Sequence, residues 1–237
     1  MEHIHADSRG AFKNEWLESR HSFSFSEYHD PARMNFSSLR VINEDWVAAK
    51  GGFPMHGHRD MEIVTYVMEG ALSHKDSLGN GSAIRPGDVQ RMSAGRGILH
   101  SEFNHSETEA VHLLQIWLLP TVTGIQPGYA QAHFPLEQRC GKLQLLVSPD
   151  GRDGSLSMNT DTCLYASILA AGETTHWVKP DKRAVYVHVA RGSLILNGMT
   201  LQAGDALAIP EATPLELAFS SDSTAEFLVF DLPVARE

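Results

Sequence analysis

Two pairs of side chains in this sequence could do chemistry together: His56-Gly57-His58 and His100-Ser101-Glu102. The members of each pair stand two residues apart. On a β-strand, alternate side chains point to the same face. Each pair can therefore aim two donors at one point, and two such strands side by side would present three imidazoles and one carboxylate. That set suits a transition metal of middling softness, such as iron, nickel, copper, manganese or zinc, and needs no thiolate. Glu62, four residues after His58, is a rival carboxylate. If its strand runs unbroken from His58, it shares the parity of His56 and His58 and faces inward with them. The i+2 spacing from His100 favours Glu102 as ligand, with Glu62 orienting an imidazole N–H from behind.

The elements that must position these residues read as β-strands. Helical periodicity is scarce. Segments rich in β-branched and aromatic residues recur at Leu39 to Asn43, Glu62 to Met68, His112 to Leu119, Leu143 to Val147, Leu164 to Leu169, Val185 to Ala190, Leu194 to Leu196, Leu215 to Phe219 and Glu226 to Asp231. Between them stand turn signals: Gly79-Asn80-Gly81, Pro86-Gly87-Asp88, Ala203-Gly204-Asp205 and Asn197-Gly198. The last predicts a type I′ hairpin, because both residues tolerate positive φ. The fold class is all-β, in barrels or sandwiches.

A faint repeat divides the chain. Tyr66-Val67-Met68-Glu69-Gly70-Ala71-Leu72 matches His188-Val189-Ala190-Arg191-Gly192-Ser193-Leu194, and Gly87-Asp88 matches Gly204-Asp205. Two stacked β-barrels of like design would produce this. Carried over at the repeat's offsets, His56 falls on Val178, His58 on Pro180, His100 on Leu217 and Glu102 on Phe219. None of these binds metal, so the metal site is expected in the N-terminal barrel only. The polar stretch from Pro149 to Gly154 sets the expected boundary, giving an N-terminal barrel over 1–148 and a C-terminal barrel over 149–237.

Composition excludes other classes. The 237 residues carry a net charge of −10 with no basic run, which disfavours nonspecific nucleic-acid or anionic-membrane binding. Cys140 and Cys163 are the only cysteines and no C-x-x-C occurs, as in a reduced cytosolic protein. The N-terminus lacks a signal-peptide pattern, and no apolar run reaches the ~18–20 residues that span a bilayer. A soluble, cytoplasmic protein is expected, a monomer by default. His3 and His5 repeat the H-x-H spacing at a terminus expected to fray, and receive no role.

At the metal-site residues the chain resembles the cupin superfamily. The first cupin motif survives as Gly51, His56, His58, Glu62 and Gly70, with one residue missing before the first His and one added before the last Gly. In the second, Gly95 stands in place of Pro, and Gly97, His100 and Asn104 keep the spacing. Within cupins the chain is most similar to the pirin family, and there to bacterial pirin-like quercetinases. The segments that carry this likeness are Ser93 to Glu102, His21 to Phe25 with Tyr28-His29-Asp30-Pro31, Leu114 to Trp117, Gly124 to Pro127 and Ser148 to Ser155. It runs from about residue 10 to the C-terminus.

The resemblance implies a bicupin with one divalent metal per chain, held by His56, His58, His100 and Glu102. Iron(II) is the usual family metal, with nickel, cobalt, copper, manganese or zinc as alternatives. It implies flavonol 2,4-dioxygenation of the quercetin 2,3-dioxygenase type, using a small aromatic substrate and O2. The 3-hydroxyl is deprotonated, the central ring opens and carbon monoxide leaves. Glu102 or Glu62 would serve as the base. The apolar slot is expected from Phe53, Met55, Met92, Phe103 and Ile116, with Arg59 and His112 near its mouth. His74, His105 and His133 read as surface or loop residues, and His176 as a near miss for a ligand in the second barrel. The rival implication is a non-enzymatic regulator, in which a redox-sensitive metal governs binding to a protein partner.

Overall fold

The alternation of apolar and polar residues resolves into strands throughout. The computed structural model describes residues 1–210 and 215–234. They form two seven-stranded and two four-stranded sheets. In the first half, the seven-stranded sheet runs in the order Gly128–His133, Asp88–Ser93, Glu62–Glu69, Val111–Leu118, Leu39–Val47, Leu17–His21, Gly10–Lys13. The four-stranded sheet runs Gly52–His58, Ile98–Asn104, Leu72–Asp76, Gly81–Ile84.

The second half repeats the plan. Its large sheet is Glu2–Ile4, Ala206–Ile209, Arg183–Arg191, Ala225–Pro233, Cys163–Leu169, Gln144–Ser148, Leu156–Ser157. Its small sheet is Thr174–Lys179, Leu215–Ser220, Ser193–Leu196, Met199–Gln202. Strand membership does not follow a cut between 148 and 149. Both Glu2–Ile4 and Gln144–Ser148 belong to the second large sheet, because backbone pairing and not chain order decides which sheet an edge strand completes. Asn197 and Gly198 have φ of 48° and 80°, as the Asn-Gly hairpin predicts.

In each half the two sheets enclose a core. Val47, Val67, Val111 and Leu113 of the large sheet meet Leu72 and Ile84 of the small one. Val185, Val187, Phe227 and Val229 likewise meet Leu194, Leu217 and Phe219. The two large sheets then pack back to back, with Val64, Tyr66, Leu114 and Ile116 against Leu146, Leu164, Tyr186 and Phe230. Each such fully buried aliphatic or aromatic side chain contributes about 1.5–3 kcal/mol. Some polar groups inside this seam are paired, whereas Tyr186 Oη and both ring nitrogens of His188 are buried without a partner. Tyr66 bonds to Glu226, and Arg139 Nη1 donates to Tyr66 Oη at 2.6 Å and to Glu226 Oε1 at 3.2 Å. The inner face of each large sheet is thus left to line its own barrel.

Candidate metal centre and its cavity

Strands Gly52–His58 and Ile98–Asn104 run antiparallel, with His56 directly opposite His100 and His58 opposite Ile98. Opposed residues share a face, so three imidazoles converge. Their ring centroids lie 4.8 Å (His56–His58), 4.4 Å (His56–His100) and 4.8 Å (His58–His100) apart. One ligand atom from each falls within 4.8 Å of the other two. His56 Nδ1 donates to the carbonyl of Pro54 at 2.8 Å, which leaves Nε2 with its lone pair. His100 is wholly buried, and neither ring nitrogen has a hydrogen-bond partner.

Burial keeps the His58 and His100 rings neutral. It pushes His100 down to about 3, aided by the neighbouring His56, His58 and His74, and His58 down to about 4, aided by His56. Neutral imidazole is the form that binds a metal.

The pairing slips between His100 and Glu102, where the register shows a bulge. Glu102 is buried, and its carboxylate groups with His100 and His74 within 4.8 Å. Gln115 Nε2 donates to Glu102 Oε2 at 2.7 Å, and Thr65 Oγ1 lies 3.4 Å from Oε1. Burial, reinforced by the charge of Asp45, raises Glu102 to about 7 against the pull of these donors.

Glu62 does not join the site. Asp60, at φ 49°, lies between the two strands, so parity is not carried from His58 to Glu62. Glu62 shares its parity with Val64 and Tyr66 and faces the seam between the halves. There its Oε2 accepts from Ser93 Oγ at 2.6 Å and from the Asn159 amide at 3.3 Å. It is fully buried, does not line the cavity and is in no position to orient an imidazole or serve as base there.

His74 departs from expectation in the other direction. It is buried beside His100 at 5.3 Å between centroids, stacks on Tyr129 and pairs with Asp76 at 3.3 Å. His105 and His133 are exposed and bonded to Ser73 and Asp88, and His176 pairs with Glu216 at the surface.

A cavity of about 530 Å³ ends on His56, His58 and Glu102. Its apolar wall is Phe12, Trp16, Phe25, Tyr28, Phe53 and Trp117. Of the expected slot residues only Phe53 is there. Met55 and Phe103 point to solvent, while Met92 and Ile116 are core. Arg59 lines a shallower depression with Ser77 and Leu99. His112 is turned away, paired with Glu44 at 2.9 Å and stacked on Trp46.

Opposite the imidazoles stands a polar rack. Ser19 Oγ donates to Asp45 Oδ1 at 2.5 Å, and His21 Nδ1 and Asn43 Oδ1 are 2.8 Å apart. All four residues line the cavity. Burial lifts Asp45 to about 7, with Ser19 opposing and the Glu44 charge assisting.

Comparisons with known proteins agree with this architecture. A Pirin family model matches residues 4–118, and a model for the quercetinase C-terminal cupin domain matches 145–232. A quercetin 2,3-dioxygenase of Escherichia coli is 46% identical over 229 residues, covering 96% of each chain. A putative quercetin 2,3-dioxygenase of Pseudomonas aeruginosa is 43% identical, covering 92% of this chain and 94% of that one. Among solved structures, YhhW from Escherichia coli superposes with a TM-score of 0.93 at 43% identity, over 100% of this chain and 99% of that one. YhhW in complex with nickel(II) gives 0.92 at 43% identity, over 98% and 99%. With homology along nearly its whole length and two cupin halves in the expected order, the chain belongs to the pirin family.

Proposed function

We propose that this chain is a metal-dependent dioxygenase that opens the central ring of flavonols, incorporating O2 and releasing carbon monoxide. The observation that carries this reading is the cavity: an aromatic-walled space of about 530 Å³ whose inner end is His56, His58 and Glu102. A regulator would bury its ion behind a closed wall, whereas here a substrate-sized opening leads to it.

The residues fit a divalent metal. His100 has two buried ring nitrogens with no protein partner, and leaving such groups unpaired costs about 1–3 kcal/mol each. His56, His58, His100 and Glu102 would hold one ion. We assign iron(II); nickel(II), present in the YhhW complex, suits the same donors. When bound, the ion supplies Lewis-acid and redox chemistry at the inner end of the cavity.

The chain's own residues do the rest. Trp16, Phe25, Tyr28 and Trp117 offer faces for a planar polyphenol and keep water from the reacting ring. The rack of Ser19, His21, Asn43 and Asp45 meets its hydroxyls. With Glu102 committed as ligand, two cavity carboxylates are left, the exposed Glu27 and the buried Asp45, and Asp45 is the one we assign to take the substrate hydroxyl's proton. Its value near 7 suits a base at neutral pH. Free Cys140 and Cys163 agree with a cytoplasmic setting. No helix among the described residues is long and apolar enough to cross a membrane.

The test is aerobic incubation of the iron-loaded protein with quercetin, following loss of the flavonol band and release of carbon monoxide. The wild type should turn over many times and His56→Ala should not. Activity no greater than that of free iron would refute the enzyme reading.

A further inference from the structure

The first strand of the chain, Glu2–Ile4, pairs antiparallel with Ala206–Ile209 of the second barrel. It takes the edge place that Gly128–His133 takes in the first. The terminus is therefore held, not frayed, and the pairing carries His3 and His5 to the turn at Gly204-Asp205. Asp205 is buried, and His3 Nε2 stands 3.0 Å from its Oδ2. The His3 and His5 rings are 4.0 Å apart between centroids. One nitrogen of each imidazole and a carboxylate oxygen all lie within 4.8 Å of one another.

Metal–nitrogen and metal–oxygen bonds of about 2.0–2.2 Å set neighbouring ligand atoms roughly 3 Å apart. His3 and Asp205 already have that spacing. The carboxylate is held in place by backbone amides, Ala6 N to Oδ1 at 2.8 Å and Gln202 N to Oδ2 at 3.0 Å. His5 is exposed, so its side chain is free to turn its nitrogen inward. A simple ion pair would account for His3 and Asp205 but leaves the second imidazole without a reason. The first barrel supplies the contrast. At its equivalent turn, Asp88 meets one imidazole, His133, at 2.8 Å, and no metal-ligand cluster forms there among the described residues.

We propose that His3, His5 and Asp205 form a second divalent transition-metal site, which staples the start of the chain to the second barrel. Two imidazoles and a carboxylate suit zinc, nickel or copper(II), with water completing the shell. An ion bound only in the folded state stabilises that docking by mass action. The staple also bears on the cavity. The Ala6–Ser8 turn leads within a few residues to Ala11 and Phe12, which line the cavity's outer wall.

The test is calorimetric titration of the metal-free full chain with zinc(II) alone, with hydrogen exchange read at Glu2–Ile4. The wild type should take up two ions per chain. His3→Ala/His5→Ala should lose one and keep the other, while His56→Ala/His58→Ala should keep the one that His3→Ala/His5→Ala loses. In the latter variant, zinc should slow exchange of the Glu2–Ile4 amides. Zinc uptake that is the same in the wild type and in His3→Ala/His5→Ala, or exchange unchanged by zinc, would overturn the proposal. If His56→Ala/His58→Ala does not fold, the wild type and the His3→Ala/His5→Ala variant decide between them.

Discussion

The two barrels share a strand order and differ in the side chains that face inward. Across the first large sheet, residues at one level are Gln90, Thr65, Gln115, Asn43 and His21, each paired with the next. Across the second, the matching row is Leu207, Val187, Val229, Tyr165 and Leu145. Gln90, Thr65 and Gln115 of the polar row form a hydrogen-bonded chain that ends on Glu102, and Asn43 and His21 form a separate pair. Gln90 Nε2 donates to Thr65 Oγ1 at 3.2 Å, Thr65 Oγ1 donates to Gln115 Oε1 at 3.0 Å, and Gln115 Nε2 donates to Glu102. The facing strands follow suit. Where the first barrel has His100 and Glu102, the repeat sets Leu217 and Phe219, both buried in apolar core. One scaffold can thus be packed solid or left hollow. In the hollow barrel a belt of amides and hydroxyls orients Glu102, and the apolar stabilisation lost there is kept in the packed one.

The comparison can be broken with matched substitutions. His100→Ala should abolish metal uptake at the three-histidine site and lower kcat/KM by about 10³-fold or more, beyond the 10–100-fold of a group that only orients a ligand. Circular dichroism should still report a folded chain. Its counterpart Leu217→Ala should do the reverse, leaving metal content intact while costing about 2–5 kcal/mol in denaturant unfolding.

Asp45→Asn tests the electrostatics of the hollow barrel. Asp45 holds its proton more tightly folded, near 7, than unfolded, near ~3.9. Its contribution to stability is therefore full at low pH and lost as pH rises through 7. The stability difference between wild type and variant should fall by at most about 1.4 kcal/mol per pH unit between roughly pH 4 and 7, then level off. A difference independent of pH would show that Asp45 is ionised throughout. Gln115→Leu, importing the second barrel's apolar character, should free Glu102 from its donor and weaken metal affinity or turnover about 10–100-fold with little loss of stability.

What the sequence made legible follows from what is local. The H-x-H and H-x-E pairs were readable because parity along one strand needs only spacing. That buried Leu217 and Phe219 stand where the first half has His100 and Glu102 was readable from a repeat of two short anchors. Glu62 was misread because the turn at Asp60 interrupts the count. His74 carried a usable signal, since it alternates with Leu72 and Asp76, and all three are buried. The polar row left no such trace. Its members stand on five strands far apart in the chain, and only the sheet order sets them side by side. The aromatic wall was hidden for the same reason, because Phe12, Trp16, Phe25 and Tyr28 reach the barrel mouth from an N-terminal segment that wraps back over it.

The most direct test of the contrast is anomalous diffraction at the metal edge from crystals of the iron-loaded chain. Inside the barrels, the account predicts a single peak about 2.0–2.3 Å from His56, His58, His100 and Glu102, with its open side toward the cavity. A peak within the second barrel, or an ion in the first whose shell is closed by protein ligands with no side facing the cavity, would contradict it.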